Sequence, residues 1–166
     1  MRSVWPTSGE PSLAMKCSPS PTPITTTPAV ACGVDNDAEP VRAAMSSLAS
    51  SGGWRGGLNQ AEGNFDPCAT LSAVLVYPYG AAGSAPEQTL LFHKGQYIGT
   101  ATKNAYAYIR LNKQQTTDST VVLNFRETAG TCGACDDADY VPIKFRWTGD
   151  KVEMVGTPPD KYRAGS

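Results

Sequence analysis

The sequence lacks several features that would indicate a nucleic-acid-binding, membrane-spanning or histidine-based metalloprotein. Among 166 residues there is one histidine, His93, so a metal site built on several histidines is excluded. No apolar run approaches the roughly 18 residues that a transmembrane helix needs. The formal net charge is −1, so the chain has no broad basic field to attract nucleic acid. We therefore expect no nucleic-acid partner and no membrane-spanning helix.

The common catalytic and ion-binding motifs are also missing. No serine lies in the G-x-S-x-G turn of a hydrolase, and the glycine-rich "SSGGWRGG" lacks the lysine of a phosphate-binding loop. The acidic runs at 35–37 and 136–139 lack the spacing of a calcium loop, and a solvated surface explains them better. The sequence thus predicts no enzyme, no cofactor and no bound metal.

The N-terminal segment differs from the rest in composition. Seven prolines fall within the first 40 residues, and "CSPSPTPITTTPAVACG" has no apolar period, so it cannot bury enough surface to offset the entropy lost on ordering. We predict a disordered Ser/Thr/Pro-rich tether at 1–30, one globular domain at 31–159 and a polar tail at 160–166. No signal peptide is recognisable at the start.

The globular part begins with a helical pattern and continues with strands. Four apolar residues, Val41, Ala44, Met45 and Leu48, have the i, i+3, i+4, i+7 spacing of one buried helix face, which predicts a helix at roughly 40–50. From residue 69 onward the pattern has period two, with a hairpin turn expected at Lys94-Gly95. The predicted strand regions are "TLSAVLVYP", "QTLLFHKGQYIGTATK", "AYAYIRLNK", "STVVLNFRE", "YVPIKFRW" and "KVEMVG".

The links between these strands are too short for parallel crossovers, which need a dozen or more residues. The predicted fold class is therefore α+β: an antiparallel sheet of about six to seven strands with one N-terminal helix packed on one face.

Cys132 and Cys135 are separated by two residues, a spacing found in redox centres, in half of a zinc site and in turn-closing disulfides. No helix N-terminus follows to lower a thiol pKa, and the neighbouring aspartates would raise it. Zinc would need two further ligands from distant parts of the chain. A structural disulfide that closes the turn fits best, and a thiol-disulfide redox protein using this pair is the alternative.

Cys32 and Cys68 are then left as a second pair, which would join the helix region to the first long strand. Closing so long a loop contributes roughly 4 kcal/mol by its effect on the unfolded chain. Two such disulfides persist in an oxidising compartment, whereas four reduced cysteines would indicate the cytosol. The fifth cysteine, Cys17, stands before the Ser/Pro-rich segment, as in a lipid-anchored exported protein, although Met15 and Lys16 occupy positions where a lipobox has small residues.

Aromatic residues provide the candidate ligand face. An antiparallel sheet with one helix can leave a tyrosine-bearing face open to a glycan, lipid or peptide, and Tyr106 and Tyr108 would share a face by period two. Ordinary sheet packing is the alternative role for the aromatic side chains. For His93, the alternative is a hydrogen bond to nearby backbone at the end of a strand. The candidate residues are Tyr97, Tyr106, Tyr108, His93 and Trp147.

Several long strings resemble the LppP/LprE family of actinobacterial lipoproteins. They are "DPC", "APEQ", "LLFHKGQYIGTAT" and "FRWTGDKV", and the resemblance covers roughly residues 30–159. It implies an exported protein held outside the cytoplasmic membrane by an acylated cysteine, for which Cys17 is the candidate. The family has no established molecular function, so the resemblance indicates a location and no reaction.

The sequence as a whole predicts an extracytoplasmic cell-envelope lipoprotein with structural disulfides. We expect a non-enzymatic binding or scaffold module whose partner is an unidentified envelope ligand. Contact with a membrane is expected only through an N-terminal lipid.

Overall fold

The computed structural model describes residues 9, 31–48, 54–56 (backbone only), 62–80, 83–128, 131, 135 and 137–165. Apart from Gly9, the predicted tether at 1–30 lies outside the described residues, as does Cys17 within it.

The predicted helix is confirmed as α1, Glu39–Ser47. Pro40 stands in its first turn, where a missing N–H costs nothing, and the acidic Glu39 lies near the positive end of the helix dipole. Val41 and Ala44 are buried, and Met45 packs beside them. The apolar spacing read from the sequence therefore does form the buried face of this helix.

Eight strands follow in the described part of the chain, and every paired neighbour is antiparallel. The α+β class is confirmed, but the strands form two sheets of four instead of one sheet, with orders β1-β2-β3-β4 and β5-β6-β7-β8. The strands are β1 Trp54–Gly56, β2 Ser72–Pro78, β3 Gln88–His93, β4 Gln96–Thr100, β5 Arg110–Leu111, β6 Thr120–Arg126, β7 Tyr140–Trp147 and β8 Val152–Val155.

The helix and the two sheets form three layers with two apolar cores. One core fills the space between the sheets, where Leu75 and Leu91 of the first sheet meet Leu123 and Phe145 of the second. The other lies between the first sheet and α1 and includes Phe92. Since β2 contributes to both cores, its residues from Ser72 to Val76 are all buried.

The β3–β4 hairpin turns at Lys94-Gly95, as predicted. Both residues have positive φ, +47° and +78°, the conformation of the two-residue turn that matches the twist of the flanking strands. Within β4 the pairing with β3 shifts by one residue: Phe92 lies opposite Tyr97, but Leu91 lies opposite Gly99. Ile98 thus lies in a β-bulge, which redirects its side chain.

One expectation about the polypeptide between the strands is wrong. The segment "AYAYIRLNK" is a strand only at Arg110–Leu111, and Tyr108 has φ +62°, so Tyr106 and Tyr108 do not alternate as neighbours on a strand. The segment predicted as a polar tail contains a 3₁₀ helix at Asp160–Tyr162. Arg163 then makes a β-bridge to Tyr106.

Candidate functional site

An open groove lies between β4 at one edge of the first sheet and β8 at one edge of the second. We call it the edge groove. Its volume is about 380 Å³, and its floor is formed by apolar side chains of the inter-sheet core, because the two edge strands do not meet over them. The lining residues are Leu91, Ile98, Thr100, Ala101, Phe145, Trp147, Asp150, Lys151, Val152 and Met154.

The rims of the edge groove expose apolar side chains to solvent. Ile98 is 40% exposed on β4 and Met154 is 46% exposed on β8. Met154 pairs with Phe145 across the strands, so it points to the groove side of β8. Ile98 and Met154 are two of the six large apolar side chains that are exposed in the described part of the chain. Exposed apolar side chains on facing rims of one groove are typical of an interaction surface.

His93 and Trp147 come together at one end of the edge groove. Their rings stack at 3.9 Å between centroids with an interplanar angle of 14°. The His93 Nδ1 atom lies 2.6 Å from the Thr70 carbonyl oxygen; because a carbonyl can only accept, Nδ1–H is the donor. Trp147 lines the groove. His93 stacks on Trp147 and is hydrogen-bonded to nearby backbone, which is the alternative that the sequence offered for this histidine.

The other three aromatic candidates lie elsewhere. Tyr97 packs on Phe92 at 5.8 Å, on the helix side of the first sheet. Tyr106 is buried in the inter-sheet core, edge-on to Phe125. The structure therefore brings together only two of the five predicted ligand-face residues.

Tyr108 belongs to an aromatic cage around a buried cation. The Arg126 guanidinium lies 4.6 Å from the Tyr108 ring centroid and 5.8 Å from that of Tyr162. Arg126 is 2% exposed, and its Nε–H donates to the Thr128 carbonyl. The left-handed conformation of Tyr108 is thus stabilised by packing that joins the C-terminal segment to β6.

The Cys32–Cys68 disulfide expected from the sequence is present, with 5.4 Å between the Cα atoms. The Asp66 carboxylate lies beside it and accepts the Cys68 N–H at 2.8 Å. Because both sulfurs are bonded to each other, this group offers no thiolate to a metal. Cys135 is also disulfide-bonded, and Cys132, its predicted partner, lies outside the described residues.

An acidic cluster, not foreseen from the sequence, lies between the sheets near the start of β3. The Glu87 side chain is 2% exposed, and its Oε1 accepts the Ile109 N–H at 2.6 Å. Its Oε2 is also buried. Burial raises the pKa of Glu87 to about 8, with a smaller contribution from Glu62 in the same direction. Burial and the two carboxyls also raise the pKa of Tyr77.

A raised carboxyl pKa is typical of catalytic acids, but the position of Glu87 favours a structural role. Its hydrogen bond to Ile109 joins the segment before β3 to the segment before β5, and its backbone pairs with Tyr106 on both sides. The side chain is sealed from solvent. A substrate would have to displace these contacts to reach it.

The rim residues of the edge groove do not follow from the sequence, for identifiable reasons. Met154 lies in a predicted strand, and its inward orientation follows from its pairing with Phe145, which the sequence does not specify. The orientation of the Ile98 side chain depends on the bulge in β4. Only Trp147 was identified beforehand.

Comparison with known proteins gives a family. The model of the LppP/LprE lipoprotein family matches residues 63–150, more than half of the chain. The lipoprotein LprE of Mycobacterium tuberculosis and that of Mycobacterium bovis are each 32% identical over 94 residues, 57% of this chain and 43% of the relative. LprE of Mycobacterium leprae is 29% identical over 93 residues. The chain therefore matches less than half the length of these relatives.

No solved structure matches the chain. Within the described residues, no helix is both long and apolar enough to cross a membrane. The family match includes β2 to β7, and with them the floor of the edge groove. The chain belongs to the LppP/LprE lipoprotein family, which implies an extracytoplasmic protein associated with the cell envelope.

Proposed function

We propose that this protein is a non-enzymatic envelope lipoprotein that binds the acyl chain of an envelope lipid in the edge groove. The exposure of Ile98 and Met154 on its two rims carries the proposal. In a domain without a ligand, these side chains would remain in contact with water at an unfavourable free energy. A bound acyl chain would remove them from water.

The chemistry of the groove favours an alkyl chain over a sugar. The side chains of Leu91, Phe145, Trp147 and Val152 offer dispersion contacts and almost no hydrogen bonds. A sugar would leave hydroxyl groups unpaired against such a floor. Asp150 and Lys151, which also line the groove, are exposed and can contact the polar head group of a lipid.

The proposed location places the domain near its ligand. In this proposal an N-terminal cysteine, with Cys17 as the candidate, is acylated and holds the domain at the outer face of the cytoplasmic membrane. Anchoring raises the effective concentration of membrane lipid at the groove. The two-cysteine redox function remains the alternative prediction.

The test is titration of dodecanoate below its critical micelle concentration, followed by calorimetry and by the melting temperature. We expect saturable binding and a rise in melting temperature, since a ligand that binds the folded state stabilises it by mass action. The Ile98→Asn/Met154→Gln double variant should lose binding at least tenfold while remaining folded, because both side chains are already half exposed.

A matched control replaces two apolar residues that are exposed elsewhere, Val34→Asn and Tyr79→Ser. This control should bind dodecanoate as the parent does. Equal losses in the control and the rim variant, or binding that the rim variant retains in full, would contradict the proposal.

A further inference from the structure

The outward face of the second sheet is positively charged, although the protein as a whole has a net charge of −1. The strands β5 to β8 contain four basic residues and a single acidic residue, Glu153. Leu123, Ile143 and Phe145 face the inter-sheet core, so residues of the opposite parity point outward. The basic residues all have that parity, but only Arg110, Lys144 and Arg146 are exposed, whereas Arg126 is buried in its aromatic cage.

Two of these cations line a cavity of about 610 Å³ on that face, which we call the cationic pocket. Lys144 and Arg146 alternate with buried residues on β7, and both are exposed. The loop before β6 supplies the other wall with hydroxyl and amide groups that can donate and accept hydrogen bonds. The lining residues are Gln115, Thr117, Thr120, Lys144, Arg146 and Val155.

The two cations have different partners. Within the described part of the chain, Lys144 makes no ion pair. Arg146 donates from Nη2 to Glu153 Oε2 at 2.7 Å. Side chains of both partners are about half exposed, so the pair is in contact with water and an anion can compete for Arg146.

We propose that the cationic pocket binds an anionic carbohydrate, whose sugar units carry carboxylate or phosphate groups. The charge of the face is complementary to such a ligand, and a guanidinium binds either anion through two parallel hydrogen bonds. Thr117, Thr120 and Gln115 offer partners for sugar hydroxyls. This site is separate from the edge groove, from which it is divided by β8.

A lipid surface is the less suitable partner. A protein that docks on a membrane usually adds exposed aromatic or aliphatic side chains that enter the headgroup region. The cationic pocket is concave, and Val155 is its only apolar lining residue within the described chain. A flat bilayer cannot enter this concavity, whereas a short glycan can.

The test is calorimetric titration with tetragalacturonate, with the neutral galactotetraose and inorganic polyphosphate as comparison probes. We expect tetragalacturonate to bind at least tenfold more tightly than the neutral sugar, and its affinity to fall at 250 mM salt through screening. Binding of polyphosphate would show that phosphate replaces carboxylate at the same cations.

Variants locate the interaction. Lys144→Ala/Arg146→Ala should weaken tetragalacturonate binding at least tenfold, and Glu153→Gln should strengthen it severalfold by releasing Arg146. Lys161→Ala, a cation outside the pocket, should leave the affinity unchanged within twofold. Circular dichroism of each variant checks that the fold is retained.

Three results would overturn the proposal. They are equal binding of the neutral and the anionic sugar, full retention of binding in Lys144→Ala/Arg146→Ala, and no sugar binding together with binding to phosphatidylglycerol vesicles that Lys144→Ala/Arg146→Ala abolishes. The last result would assign the face to a membrane surface. None of them bears on dodecanoate binding in the edge groove, so the two proposals fail separately.

Discussion

In the described part of the chain, a helix covers the outer face of the first sheet, whereas no helix covers that of the second. On the second sheet Lys144 and Arg146 of β7 are exposed, although Val122 and Arg126 of β6 are buried. In the first sheet, Val74 and Val76 of β2 pack under α1, while Ala73 and Leu75 face the other sheet. In the second, β7 buries Ile143 and Phe145 and exposes Lys144 and Arg146, which alternate with them. Both sheets have the same up-and-down order of four antiparallel strands, so the helix makes the difference.

This difference agrees with the positions of the two proposed ligand sites. The helix occupies the outer face of the first sheet, and its residues there serve packing. The edge groove and the cationic pocket both include residues of β7 and β8. We infer that the first sheet with its helix gives the domain most of its stability, and that the proposed binding surfaces lie on the second sheet and on β4 at the edge of the first. The following predictions test this division, from the largest expected effect to the smallest.

The largest effect is expected under the helix. Phe92 is fully buried and lies 4.8 Å from Phe65, edge to face, in the core below α1. Phe92→Ala should lower the free energy of unfolding by about 3 to 5 kcal/mol, since it removes buried area and leaves a cavity. Urea unfolding monitored by circular dichroism measures this loss of free energy. Lys144→Ala on the outer face of the second sheet should stay within about 0.5 kcal/mol. Similar losses in the two variants would refute the division.

An effect of similar size is expected for the Cys32–Cys68 disulfide, which ties the segment before α1 to the segment before β2. The two cysteines are 36 residues apart, so the entropy of closing the loop in the unfolded chain gives about 4 kcal/mol. The variant Cys32→Ala/Cys68→Ala should lose that amount. If its urea midpoint equals that of the parent, the link contributes nothing and stability comes from packing alone.

The contrast between the sheets could be read partly from the sequence. The run "SAVLV" in β2 is almost continuously apolar apart from Ser72, as expected for a strand buried on both faces. "YVPIKFRW" alternates, as expected for a strand with one wet face. The positions of Lys144 and Arg146 on the outer face follow from that alternation, and the sequence analysis did not draw this conclusion.

The division into two sheets could not be read from the sequence. The link between β4 and β5 contains "AYAYI", whose alternation predicts a strand. Instead, Tyr106 pairs with Glu87 and Arg163, and Tyr108 takes a left-handed conformation beside Arg126. These partners are distant along the chain, so local pattern carries no information about them.

The acidic cluster was missed for the same physical reason. Glu87 follows the turn-forming "GSAP" and resembles a solvated loop residue. Its burial depends on the Ile109 N–H, which arrives from the other sheet. A residue of that kind can be identified only when the long-range contact is known.

Glu87 gives the next prediction, on the inner face of the first sheet. Its pKa is raised from 4.5 to about 8 in the folded protein, chiefly by burial. The folded state therefore keeps its proton between these values while the unfolded chain releases it. The stabilisation by protonated Glu87 is fully present below pH 4.5 and is lost as the pH rises to about 8. Over this range the free energy of unfolding falls by up to about 1.4 kcal/mol per pH unit.

The measurement is urea unfolding between pH 5 and 9. Asp118 and Asp137 have lowered pKa values because Thr70 and Thr131 donate hydrogen bonds to them, so their contributions are lost only at more acidic pH. The decline with pH should disappear in Glu87→Gln, which stays neutral. A parent protein whose stability is flat across this range would show that Glu87 titrates normally and that the inter-sheet space is wet.

The smallest effect is expected on the uncovered face. A double-mutant cycle with Arg146→Ala and Glu153→Ala should give a coupling below about 1 kcal/mol, because both side chains are about half exposed and screened by water. A small coupling means that Arg146 can exchange Glu153 for an anionic ligand with little change in folding stability. A coupling above about 2 kcal/mol would instead show that the pair fastens β8 to β7. The second sheet would then depend on the same residues for stability and for binding, and the division between the two sheets would not hold.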